Sequence, residues 1–118
     1  MTLVDTSIWV NHLRQGSPSL ETLLQEKQVL THPWVIGELA CGMLKNRTEI
    51  LALLQTLPQA QVPEYDEALN FLESQKLFGL GLGWVDVNLL ASAQLTECDL
   101  WTADVSLQKA ASKLRLNR

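Results

Sequence analysis

A chain of 118 residues with 47% hydrophobic side chains is sized for one domain, whose core buries roughly two thirds of the surface exposed by the unfolded chain. Thirteen acids against nine bases give a net charge of −4, which excludes a broadly basic surface for indiscriminate nucleic-acid binding. No run approaches the ~18 consecutive apolar residues of a membrane span, and the N-terminus has no basic segment followed by an apolar one, so a cytoplasmic protein is expected.

Leu3-Val4 predicts a short buried strand that ends at Asp5-Thr6-Ser7, where a helix carrying Ile8, Trp9 and Leu13 begins. Ser17 before Pro18 is an N-cap with a first-turn proline, opening a second short helix through Leu20, Leu23 and Leu24. "QVLTH" reads as a second strand, and Pro33 opens a buried helix over "PWVIGELACGML". Further helices are expected over about Thr48 to Leu57 and about Tyr65 to Phe78, the latter with Ala68, Leu69, Leu72 and Phe78 near one stripe. "GLGLG" at 79–83 is a loop; it lacks the GxGxxG spacing and a clear preceding strand, so it does not bind a dinucleotide. "WVDVNLLASAQLT" is the next helix, "CDLWT" a strand, "ADVSLQKAASKL" the last helix and "RLNR" a short closing strand. Strands alternating with helices predict an α/β fold with a central parallel sheet of about four to five short strands, flanked by helices on both faces, in a single domain over 1–118. Cys41 and Cys98 form no CxxC and have no histidine at zinc-ligand spacing, so both read as buried reduced thiols.

Four acids stand apart from other charges. Asp5 is the only charged side chain before Arg14, Glu38 the only one between Lys27 and Lys45, and Asp86 the only one between Lys76 and Glu97. Asp104 is the last acid before an exclusively basic tail. An unpaired buried carboxylate is expensive, and the sequence supplies no local base around the first three. A bound cation is the other remedy, and the carboxyl ends of parallel strands are where ligands bind in open α/β sheets. Carboxylates ~4 Å apart repel by ~4 kcal/mol per pair at an effective dielectric of ~20, so a cluster of them requires cations. All-oxygen donors select magnesium or manganese over zinc. Without these four, nine acids balance nine bases, and two divalent ions would cancel the excess. Each acid also has an ordinary structural explanation: a helix cap for Asp5 and Asp104, a solvated position for Glu38, and a favourable first-turn charge for Asp86.

"LVDTSIWV", "VIGELACG", "GWVDVNLLASA" and "LWTAD" together resemble, in order and spacing, the motifs of PIN-domain ribonucleases, with the nearest likeness to the VapC-type toxins of bacterial toxin–antitoxin pairs. The resemblance spans essentially the whole chain and implies a PIN-like fold. It also implies a metal-dependent endoribonuclease using Mg2+ or Mn2+ at Asp5, Glu38, Asp86 and Asp104. Thr102 falls on the family's Thr-x-Asp motif, where its hydroxyl could orient a carboxylate or a metal-bound water, and Thr6 and Ser7 support the loop after the first acid. Two positions depart from the pattern: Leu107 stands near where an aromatic is often found, and Ala103 replaces a commoner basic residue. The resemblance further implies a cognate VapB-like antitoxin, an RNA substrate and a homodimer.

Local positive charge for RNA is offered by Arg14, Lys45, Arg47, Lys109, Lys113, Arg115 and Arg118, while His12 and His32 are expected to be structural. Trp9, Trp34, Trp84 and Trp101 suit a core or an interface better than base stacking. A haloacid-dehalogenase-like phosphatase would need an acid at position 7, where this chain has Ser7, and a receiver domain would need an acidic pair near the first strand. The remaining rival is a PIN-like module that binds RNA or protein with little catalysis.

Overall fold

The computed structural model describes residues 1–118. The elements, in order, are β1 (Thr2–Val4), α1 (Thr6–Gln15), α2 (Pro18–Gln25), β2 (Val29–Leu30), α3 (Pro33–Ala40), α4 (Arg47–Thr56), α5 (Tyr65–Ser74), α6 (Trp84–Thr96), β3 (Asp99–Trp101) and α7 (Val105–Lys113). The strands form a parallel sheet in the order β2-β1-β3, with Leu3 of β1 paired to Leu30 on one side and to Leu100 on the other. The α/β class expected from the sequence is therefore the one observed.

The expected four to five strands are three. The closing segment contributes one parallel bridge, Leu100 to Asn117, and the chain after α4 contributes another, Thr31 to Gln59. Neither extends into a strand. Pro58 has no N–H to add to a ladder beside β2, and Arg115 lies in the left-handed region at φ 59° two residues before the last bridge. The strands themselves are short because the N-cap of a helix follows each one within three residues: Asp5 after β1, His32 before Pro33 after β2, and Asp104 after β3.

Burial follows the pleat and the helix stripes. Leu3, Val4, Leu100, Val29 and Leu30 from the sheet meet Leu20, Val35, Leu39, Leu107 and the middle of α6, which is buried continuously from Val87 to Ala93. A buried leucine contributes roughly 1.5–3 kcal/mol over an exposed one, so this cluster fixes the sheet edge on which the polar residues sit. Ser17 caps α2 as its sequence predicts, its hydroxyl accepting from Leu20 N.

Helix α5 ends earlier than hydrophobic spacing suggests, by a stop that it shares with α2, α6 and α7. After α2, α5, α6 and α7 a residue adopts positive φ (Lys27, Lys76, Glu97 and Arg115), and the next N–H returns to a carbonyl five positions back in the Schellman manner, as Leu77 N does to Leu72 O at 3.0 Å. The turn after α5 carries Leu77 into the core, so the expected extension to Phe78 is cut at Ser74. Glycine usually marks such ends; here long polar residues occupy them, which conceals the stop. The helix expected to run from 33 to 44 ends at Ala40 for a different cause. The Arg47 guanidinium donates twice to Ala40 O, at 2.8 and 3.2 Å, and closes that terminus. Cys41 then lies exposed, against the expectation of two buried thiols, while Cys98 is buried.

Candidate active site

Asp5 occupies the N-cap position of α1, but its side chain caps nothing. Its Oδ2 instead accepts hydrogen bonds from Thr102 Oγ1 at 2.6 Å and Ser7 Oγ at 2.9 Å. The backbone explains the meeting. β1 and β3 run parallel and adjacent, so the residues that follow them emerge side by side, and Asp5 N donates to Trp101 O at 2.9 Å. Asp5 is only 7% exposed and Thr102 4%, so the carboxylate sits in a nearly dry, hydroxyl-lined niche. Both hydroxyls reach further: Ser7 Oγ accepts from Ala103 N and Thr102 Oγ1 from Asp104 N, each at 3.0 Å. The loop after β3 is thereby tied to the first acid.

Asp104 caps α7 through Oδ1, which accepts from Leu107 N at 2.9 Å, so its ordinary structural role is real. Asp86, in the first turn of α6, accepts from Gly83 N through Oδ2 at 2.9 Å. Burial raises the Asp86 pKa; the Gly83 N–H opposes the rise, and the negative charges of Asp5 and Asp104 add to it. Those two influences bring Asp5, Asp86 and Asp104 into one electrostatic neighbourhood. Glu38 arrives from α3 and is exposed, as its structural alternative supposed, yet its Oε1 accepts from Thr6 Oγ1 at 2.6 Å, joining it to the residue beside Asp5.

None of the hydrogen bonds to the four carboxylates comes from a Lys or Arg. In each carboxylate one oxygen accepts from the protein and the other accepts from no protein donor. Hard oxygen donors with spare capacity, mutual repulsion and no cationic partner fit a divalent ion such as Mg2+ in donor type and charge. They are not drawn together as a finished cage: no three His, Cys, Asp or Glu side chains lie in a metal-holding group.

The histidines stay outside this chemistry. His32 is completely buried, accepts from Trp34 N through Nδ1 at 3.0 Å, and its Nε2 meets Ser92 Oγ at 3.0 Å. With Nδ1 accepting, Nε2 carries the proton and donates, and burial lowers the pKa to about 4, so the ring is neutral. His12 Nδ1 accepts from Ser17 N at 3.2 Å. A groove of about 540 Å³ opens from Glu38 and Thr6 between α1, α3 and α4, with Arg14 and Lys45 on its wall beside Val10, Leu13 and Ile50. Arg47 is engaged at the end of α3, and Arg118 lies over the Trp101 ring at 4.5 Å. Trp9 is core, Trp34 is 37% exposed, and Trp84 and Trp101 are half-buried.

The bond from Thr6 to Glu38, the reach of Ser7 to Ala103 and the capping role of His32 were not legible in the sequence. The partners are long-range or lie in backbone, and no spacing rule links them.

A short parallel sheet flanked by seven helices, with Asp5 after β1 and Asp104 after β3 joined through Thr102, is a PIN-type architecture. The PIN domain family matches residues 2–113, and the chain belongs to it. Ribonuclease VapC32 of Mycobacterium tuberculosis is 44% identical to this chain over 114 residues, in strain CDC 1551 / Oshkosh and in strain ATCC 25618 / H37Rv alike. The alignment covers 96% of this chain and 92% of each relative.

Proposed function

We propose that this chain is a divalent-metal-dependent endoribonuclease and the toxin of a type II toxin–antitoxin pair. The observation that carries the reading is the niche at Asp5: a carboxylate 7% exposed, anchored through one oxygen by Thr102 and Ser7, without a basic partner and beside the charges of Asp86 and Asp104. The 44% identity to Ribonuclease VapC32 supports RNA as the substrate.

Asp5, Asp86 and Asp104 would hold Mg2+ or Mn2+ through the oxygens left without protein donors, with Glu38 completing the set from α3. Such an ion supplies a nucleophile at neutral pH and neutralises charge on the phosphoryl oxygens. The protein's part is positioning. Thr102 and Ser7 fix the Asp5 rotamer, Gly83 N–H fixes Asp86, and the cap on α7 fixes Asp104. His32, neutral and fully buried, is unavailable as a general base.

The likeness to VapC32 also supports a VapB-like antitoxin as partner; cytoplasmic residence and a homodimer are further parts of the proposal. No helix is long and apolar enough to cross a membrane.

The deciding experiment is cleavage of total bacterial RNA by purified, antitoxin-free protein with Mg2+, with Mn2+ and with EDTA, beside an Asp5→Asn variant. Discrete fragments that disappear with chelator and in the variant support the nuclease reading. Intact RNA under every condition, from protein shown to be folded, rejects it in favour of a PIN-like binding module.

A further inference from the structure

Glu38 poses a positional problem that the other three acids do not. Asp5 stands at a strand end, and Asp86 and Asp104 are held by backbone N–H groups at helix starts. Glu38 is in the last turn of α3, where the helix dipole disfavours a negative charge, and its long side chain is exposed. Arg14 and Lys45 share its groove, but neither donates to it. The one donor it has is Thr6 Oγ1, at 2.6 Å.

Thr6 suits that task. It is the first residue of α1 and follows Asp5 directly, so the junction that sets the first acid also directs this hydroxyl. Its β-branched side chain has few χ1 options in a helix, which limits where its oxygen can sit. Its proton goes to a carboxylate 32 positions away rather than to a local backbone carbonyl. Oε1 accepts that hydrogen bond and Oε2 accepts none, so Oε2 is the oxygen free to face an ion.

We propose that Thr6 is a positioning residue that holds Glu38 over the acidic site, with Oε1 committed to the Thr6 hydroxyl and Oε2 presented to the cation. This rests on the metal-site reading given above. It goes beyond a supporting role for the loop, because it assigns Thr6 to one carboxylate and to one of its oxygens. The bond also makes the site span two separate elements, since α1 delivers Thr6 and α3 delivers Glu38. Losing the hydroxyl would leave the charge count unchanged and the fold intact, and would free only the Glu38 side chain.

The test is Mn2+ binding without RNA, by isothermal titration and by loss of the free-ion electron paramagnetic resonance signal, for wild type, Thr6→Val, Thr6→Ser, Glu38→Gln and the Thr6→Val/Glu38→Gln double variant. Removing a group that orients a ligand typically weakens metal affinity 10–100-fold. The expected result is about 10-fold weaker binding in Thr6→Val and near wild-type affinity in Thr6→Ser. The double variant should bind no worse than Glu38→Gln, because the two changes cut the same interaction. Melting temperatures of the metal-free proteins should be alike, separating positioning from a folding defect. Wild-type affinity in Thr6→Val, or additive losses in the double variant, overturns the assignment and leaves the metal site standing. A wild-type protein that takes up no Mn2+ overturns both.

Discussion

Thr102 Oγ1 donates to Asp5 Oδ2 at 2.6 Å across 97 positions of sequence, and the same oxygen of Thr102 accepts from Asp104 N at 3.0 Å. One buried hydroxyl thus connects the acid after β1 to the acid that starts α7. Replacing Thr102 with Val keeps the shape and removes both bonds, leaving Asp104 N–H without its partner. A hydrogen bond to a charged group is worth about 1.5–3 kcal/mol, so Thr102→Val should destabilise by that amount in urea unfolding. Thr102→Ser should recover most of it; a Thr102→Val variant as stable as wild type, with the loss confined to Thr102→Ser, would mean that the methyl, not the hydroxyl, matters.

Asp5→Asn separates catalysis from stability. An amide oxygen can still accept from Thr102 and Ser7, while the charge that repels Asp86 and Asp104 is gone. Under the nuclease reading, RNA cleavage should fall by on the order of 100-fold or more, since several kcal/mol of transition-state stabilisation are lost. The metal-free protein should melt no lower than wild type. A lower melting temperature would mean that the ionised carboxylate serves mainly to hold the fold.

His32 supplies a pH signature. Its folded pKa, about 4, lies below the ordinary 6.5, so between those values the unfolded chain binds more protons than the folded one. Stability therefore falls as pH drops from about 6.5 toward 4, by up to about 3 kcal/mol from this residue. Urea midpoints measured across that range should show the slope in wild type and a flatter one in His32→Gln. The variant pays about 1–3 kcal/mol at pH 7 for an imperfect replacement of the ring's contacts with Trp34 N and Ser92. Parallel slopes would show that His32 protonates without unfolding the protein.

Positive backbone φ predicts opposite responses at two sites, the turn that closes α5 and the loop before α6. Lys76 sits at φ 55° with a side chain, and Gly there relieves the strain, so Lys76→Gly should stabilise by roughly 0.5–1 kcal/mol. Gly81, at φ 79°, needs its freedom, and a Cβ would also stand 3.2 Å from Ser106 Oγ. Gly81→Ala should cost about 1 kcal/mol or more. Adding Ser106→Ala should restore little, because backbone conformation and not the hydroxyl sets the cost; full rescue in thermal melts would reverse that conclusion.

The thiols should differ in reach. Cys41 is exposed beyond α3 and Cys98 is buried, with burial raising its pKa. A disulfide exchange reagent should label Cys41 rapidly in the native state and Cys98 only on unfolding. Two fast thiols would contradict the packing around the start of β3.

The sequence by itself determined the helices, the parallel α/β class and the four isolated acids. Amphipathic spacing and capping residues act over a few positions, and the absence of a nearby base is a property of the chain. Even the α6 span, Trp84 to Thr96, follows from its composition. The sheet's three-strand extent did not follow, because whether "RLNR" forms a strand or one bridge depends on the turn at Arg115 and on the space beside Leu100. Nor did the stop of α5, which Lys76 makes without the usual glycine, or the exposure of Cys41. Only the tertiary structure decided which hydroxyl serves which carboxylate. The parallel pairing of β1 with β3 sets Thr102 against Asp5, and the packing of α1 against α3 sets Thr6 against Glu38. A hydrogen bond needs its donor within about 3 Å, and that proximity comes from chain segments folded together rather than from their spacing along the sequence.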